Sequence, residues 1–173
     1  VGHIPSAVTV QEAIESNQKS LEHFYGFKAF LHKRYEAAVQ SLNDPKIEVG
    51  LSPEFSAHLR DYGITALDFD LDNLDIGRLG KLVDMLAKSS AFVTPTIVVE
   101  KAPLKQVDPE FDPSELSKYM PEYVIRNYYV KDTLKTSADT TRHHWNVRNY
   151  EFILRMLKPM FDGGVKFLAG TDY

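Results

Sequence analysis

The sequence contains no cysteine, which excludes disulfides and thiolate metal ligands and leaves His, Asp and Glu as the side chains able to hold a metal ion. It has no apolar run approaching the roughly 18 residues that a membrane span requires. It has no Lys/Arg-rich stretch either, and the formal net charge is -4, so neither a membrane nor a nucleic acid is expected as a partner. The opening Val-Gly-His-Ile-Pro lacks both an initiator Met and the charged-then-apolar layout of a signal peptide. Internal repeats, low-complexity tracts and a convincing linker are missing as well, so residues 1–173 read as a single unit. What remains is ordinary for a globular protein, with 43% hydrophobic and 25% charged residues.

Four short apolar runs read as strands: Val1–Ile4, Ser20–His23, Ala91–Val99 and Val165–Ala169. Amphipathic stretches separate them. Thr9 to Gln18 fits a short helix with a Thr9/Glu12 capping box. Lys28 to Leu42 repeats apolar residues at spacings of three and four, Pro53 to Tyr62 is closed by Gly63, and Asp75 to Lys88 carries Ile76, Leu79, Leu82, Val83 and Leu86 on one stripe. Pro103 to Pro113 reads as a loop, and helical sequence from Ser114 is broken by Pro121. A long helix is expected over Ala138 to Phe161, burying Trp145, Tyr150, Ile153, Leu154, Leu157 and Phe161, with Pro159 disturbing its last turn. Gly163-Gly164 then turns the chain into the last strand. Helices alternating with apolar strands predict an α/β fold with a parallel sheet.

Three of these strands end in side chains that can do chemistry: His3, His23 and Asp172. Alone, a strand-end histidine is an ordinary structural residue. Together the three change the reading, because parallel strands about 4.8 Å apart present their C-terminal tips on one side, where two imidazoles and a carboxylate can share an ion. Asp172, after Gly170-Thr171, suits either a ligand or a base toward water.

The bland readings hold for the other candidates. His143-His144 beside Trp145 sit in helical sequence, and His32 and His58 read as surface or boundary residues of amphipathic helices. Asp68-Phe-Asp70-Leu-Asp72-Asn-Leu-Asp75 lacks the mid-loop glycine and terminal Glu of a calcium loop, so solvation and helix capping are its expected roles. The tyrosines at 119, 123, 128 and 129 read as core or subunit contact, with a lid over the site as a second reading.

Gly-His-Ile-Pro, then Ser-Leu-Glu-His-Phe, then Val93-Thr94-Pro95-Thr96-Ile97, then Gly164-Val-Lys-Phe-Leu-Ala-Gly-Thr-Asp172 resembles the C-terminal half of the metal-dependent amidohydrolase superfamily, in its imidazolonepropionase-like and prolidase-like branch. The resemblance implies part of a TIM-type (β/α)8 barrel, strands five to eight, with long helical insertions and a site of one or two divalent ions, usually zinc. It implies His3 and His23 as metal ligands, His23 alternatively as a substrate holder, and Asp172 as ligand and proton carrier. The strand with Thr94 and Thr96 would bear no ligand.

The implied activity is hydrolysis of an amide or cyclic-amide C–N bond, in a dipeptide or an imidazolone- or lactam-like ring, by metal-activated water. The family's first-strand His-x-His pair is absent, so the chain is expected to be one part of a larger enzyme, inactive alone, and either self-associating or pairing with the other barrel half. The rival reading, from a different class, is a noncatalytic α/β module for binding or assembly without a complete metal site.

Overall fold

A computed structural model describes residues 2–44, 46–105, 107–108, 110–128 and 137–171. The fold is mixed α/β and mostly helical. The chain forms two compact units: Val1–Pro95 with Met156–Gly170, and Thr96–Arg155 with Thr171–Tyr173.

In the first unit, α1 (Val10–Glu15) starts on the expected capping box, with Thr9 Oγ1 accepting from the Glu12 N–H and the Glu12 carboxylate accepting from the Thr9 N–H at 2.8 Å. Next come β1 (Ser20–Glu22), α2 (Phe27–Leu31), α3 (Tyr35–Asn43) and α4 (Pro53–Tyr62). The bounds of α4 follow from local chemistry: Ser52 caps it, Pro53 occupies its first turn, and Gly63 ends it with φ 62°. Three 3-10 stretches, Gly63–Phe69, Leu71–Asn73 and Ile76–Arg78, lead into α5 (Leu79–Lys88) and β2 (Phe92–Thr94).

β1 and β2 pair in parallel, with Leu21 opposite Val93, as expected of two strands joined by helices. Val93 also forms a parallel bridge to Phe167, donating its N–H to the Lys166 carbonyl and accepting from the Leu168 N–H. The Val165–Ala169 segment therefore lies beside β2 in the expected direction, but as one bridge rather than a strand. The core of this unit gathers Leu21, Phe24, Phe27, Leu31, Ile64, Leu67, Leu82, Leu86 and Val93, all nearly or fully buried.

Several expectations are corrected. Residues 2–4 do not form a ladder with β1; the Gln18 amide takes the Gly2 carbonyl (2.9 Å) and the Ser20 carbonyl (2.9 Å) that such a ladder would have used. Position 1 lies outside the described residues. The third strand stops at Thr94, because Thr96 takes a left-handed φ of 44° and Ile97 opens a helix, α6 (Ile97–Lys105), that runs through Pro103. The single helix expected over Lys28–Leu42 is interrupted at His32, whose extended ψ of 138° ends α2.

In the second unit, α7 (Glu122–Tyr128) follows Pro121, and Tyr119 and Tyr123 are strongly exposed rather than core. Position 129 lies outside the described residues. The long helix α8 (Ser137–Asp162) is present; it begins in this unit, its residues from Met156 onward belong to the first, and it ends on the Gly163-Gly164 turn. Its buried positions are Asn149, Ile153, Met156 and Met160, whereas Leu154 and Phe161 are exposed. The stripe keeps the helical spacing of three and four but is turned from the expected one, since a flexible Met fills a core as well as an aromatic does.

Candidate metal centre at the tip of the first strand

β1 (Ser20–Glu22) carries the candidate residues at its C-terminal end. Its pairing with β2 ends where the His23 N–H donates to the Thr94 carbonyl at 3.2 Å. There the backbone turns sharply: His23 has φ 60°, Phe24 φ 56° and Gly26 φ 78°. Two successive non-glycine residues in the left-handed region cost roughly 1–3 kcal/mol each, a strain that clusters at functional sites. Phe24 and Phe27 offset it, burying their rings in T-shaped contact with centroids 5.3 Å apart.

The turn has a geometric result. In a regular strand Glu22 and His23 would point to opposite faces. Here Glu22, His23 and His3 come together, each offering one ligand atom, and those atoms all lie within 4.8 Å of one another. The rings of His3 and His23 meet edge to face with centroids 4.6 Å apart, and Tyr25 packs against both, 4.9 Å from His3 and 5.8 Å from His23. His23 is buried, Glu22 half-buried and His3 exposed, so the group opens to solvent on the His3 side. Behind it, the Ser20 hydroxyl donates to Glu22 Oε1 at 3.4 Å and lies 3.4 Å from Thr94 Oγ1.

Two imidazoles and one carboxylate are the donor set of catalytic zinc sites that keep a position open for water or substrate. With those atoms within 4.8 Å of one another, the donor set fits a divalent ion in kind. Of the three residues expected from the sequence, the structure brings His3 and His23 together; Asp172 lies outside the described residues. Glu22 was not anticipated. It stands inside the Ser-Leu-Glu-His run, but strand alternation assigns it to the far face.

A second histidine arrangement lies in the same unit. His32, expected at the surface or boundary of an amphipathic helix, is fully buried. Its Nδ1 accepts from the Arg34 N–H at 3.0 Å, which leaves Nε2–H to donate to Asp70 Oδ2 at 3.2 Å. The Asn73 amide donates to the same oxygen at 2.9 Å. Burial holds the His32 ring below its ordinary pKa, against the pull of Asp70. For Asp70, burial pushes upward, but the hydrogen bonds from Asn73 and His32 outweigh it and the net direction is down.

Asp68 is buried too, and accepts from the N–H groups of Gly26 and Ala29, both at 2.7 Å. Burial pushes its carboxyl up, against the Lys28 charge and the backbone donors of α2. Two aspartates of the run expected to be solvated are thus inside, while the expected capping role holds: Asp68 caps α2 from a distance, and Asp75 accepts from the Gly77 N–H at 3.0 Å. His58 is exposed on α4, as expected. His143 and His144 lie on α8 with ring centroids 6.3 Å apart and join no ligand group among the described residues. No helix among the described residues is long and apolar enough to cross a membrane.

Comparison of the chain with family models, with curated proteins and with solved structures finds no match in any of the three.

Proposed function

We propose that this chain belongs to a metal-dependent hydrolase that cleaves an amide or cyclic-amide C–N bond, with His3, Glu22 and His23 holding a divalent ion, zinc by the chemistry of the donors. The observation that carries the reading is the convergence of those three ligand atoms at one strand tip. When bound, such an ion polarises a carbonyl and lowers the pKa of water. The protein's own part is to hold neutral imidazole nitrogens and a carboxylate oxygen at fixed places, with Tyr25 walling one side. Asp172 is the proton carrier in this reading, on the strength of its place in the Gly-Thr-Asp run that resembles the amidohydrolases. A second ion would use the same His23.

The finer fold proposed is strands five to eight of a (β/α)8 barrel. It is supported by the order of neighbours: residues 2–4 tied to β1 through Gln18, β1 paired with β2, and β2 bridged to Phe167. Substrates of the proposed class are small: a dipeptide, or an imidazolone- or lactam-like ring. The other barrel half, or a second copy, is the proposed partner.

Zinc titration of the chain, followed by isothermal calorimetry, tests the reading. We expect one ion per chain, and at least a hundredfold weaker binding in His23→Ala, about 2.8 kcal/mol. A chain that binds no zinc would end this proposal in favour of a noncatalytic binding module, whereas a His23→Ala variant that binds as well as wild type would remove His23 from the ligand set and leave it the substrate-holding role.

A further inference from the structure

We infer that Asp68 is the positioning residue of the β1-tip group: its carboxylate grips the backbone beyond the left-handed turn and so aims His23 at His3 and Glu22. As a statement about metal binding, this rests on the reading proposed above. As a statement about the histidine rings, it stands without it.

Within the turn itself, two backbone bonds join the described residues. Between Glu22 and Phe27 the chain makes a long contact from the Tyr25 N–H to the Glu22 carbonyl, 3.5 Å, and one good bond from the Phe27 N–H to the Phe24 carbonyl, 3.1 Å. Three residues in this span have positive φ. Phe24 and Phe27 set how deep the turn sits, but apolar contacts are non-directional and leave its rotation open.

Direction comes from Asp68, some forty positions later. It accepts from Gly26 with Oδ2 and from Ala29 with Oδ1, one N–H on each side of the junction between turn and α2. Gly26 caps α2 without a side chain of its own, so a carboxylate from the Gly63–Phe69 stretch supplies the missing acceptor. Two charge-assisted bonds at 2.7 Å from a fully enclosed group fix both the end of the turn and the start of the helix. His23 is thereby carried on a turn held at both ends, by the Thr94 carbonyl at its own N–H and by Asp68 at Gly26.

The Asp68→Asn variant is the direct test, since it keeps shape and burial while placing an amide N–H against a backbone N–H. The measurements are the histidine ring resonances of the full chain by NMR and its zinc affinity. Val83→Ala, a core truncation on α5, serves as the control for lost stability. We expect Asp68→Asn to shift the His3 and His23 rings, to leave exposed His58 unmoved, and to weaken zinc binding at least tenfold, with Val83→Ala changing neither.

Should Asp68→Asn fail to fold, Gly26→Ala disturbs the same turn mildly. The added β-carbon meets only ordinary contacts, 3.6 Å from Ile4 Cδ1, yet must adopt φ 78°. It should move the same two rings with a smaller loss of zinc affinity. Rings that stay in place in both variants, or that move as far in Val83→Ala, overturn the inference. Rings that move in a chain that binds no zinc uphold the positioning role and remove the metal reading alone.

Discussion

Two histidine–carboxylate arrangements lie in one unit of this protein, built from the same chemical parts and arranged in opposite ways. Around His32 both ring nitrogens are engaged: one takes a backbone N–H and the other gives its proton to Asp70, which Asn73 also holds. Nothing is left to bind an ion, and the imidazole acts as a polar joint between α2 and the acidic 3-10 stretch. At the tip of β1, the ligand atoms of two imidazoles and a carboxylate face one another across less than 5 Å beside solvent. Each of these groups offers lone pairs that a shared proton or a cation would satisfy. A histidine's role is thus read from what its two nitrogens already touch, more than from its neighbours in sequence.

The strongest way to break this contrast is to truncate the buried partner. His32→Ala should cost roughly 3 kcal/mol, from a cavity and from Asp70 and the Arg34 N–H left unsatisfied inside. Zinc affinity at the β1 tip should not change. Urea denaturation beside zinc titration checks both, and a stability loss well under 1 kcal/mol would mean that His32 is not the joint described.

The contrast sharpens with pH. Unfolded, His32 titrates near about 6.5, whereas burial holds it lower in the fold. Between those values the unfolded chain binds a proton that the folded chain refuses, so stability falls as pH drops below that point. Asp70 behaves as a depressed carboxylate: its contribution is present above about 3.9 and is lost as pH falls through its folded value. His32→Gln removes the upper window, and Asn73 continues to hold Asp70. Denaturation across acid pH should show a flatter decline in that variant, and curves of equal slope would count against the buried neutral ring.

The smallest effect belongs to a place apart from both groups. Thr9→Ala removes half of the capping box of α1 and should cost about 1 kcal/mol, with no change in zinc affinity or in the His32 pH window. Thermal denaturation suffices to see it.

Local chemistry was legible in the sequence where partners are near in the chain. The capping box at Thr9, the bounds of α4 and the turn at Gly163-Gly164 all depend on residues within a few positions of each other. The parallel pairing of β1 and β2 followed from the helices between them. What stayed hidden depends on distant partners. Ile97-Val98-Val99 has the composition of a strand, yet the left-handed Thr96 diverts it into a helix. The aspartates at 68 and 70 look like a solvated run until their acceptors meet α2 and His32. Glu22 was masked by a sound rule, strand alternation, which fails where the backbone changes hand at His23 and Phe24. Thus His3 and His23 were readable, and the third member of their group was not.

The bridge from Val93 to Phe167 bears on the order of events during synthesis. The neighbours Leu21, Val93 and Phe167 sit side by side in space, yet each step skips a loop of roughly seventy residues. The second compact unit occupies most of the later gap. A growing chain therefore makes β2 long before its outer neighbour exists, and that edge must wait, unpaired and open to wrong partners, while the inserted unit is translated. Long-range closure of this kind is slow. A nascent chain halted just past Pro95 should need a chaperone, and one released after Leu168 should need it far less.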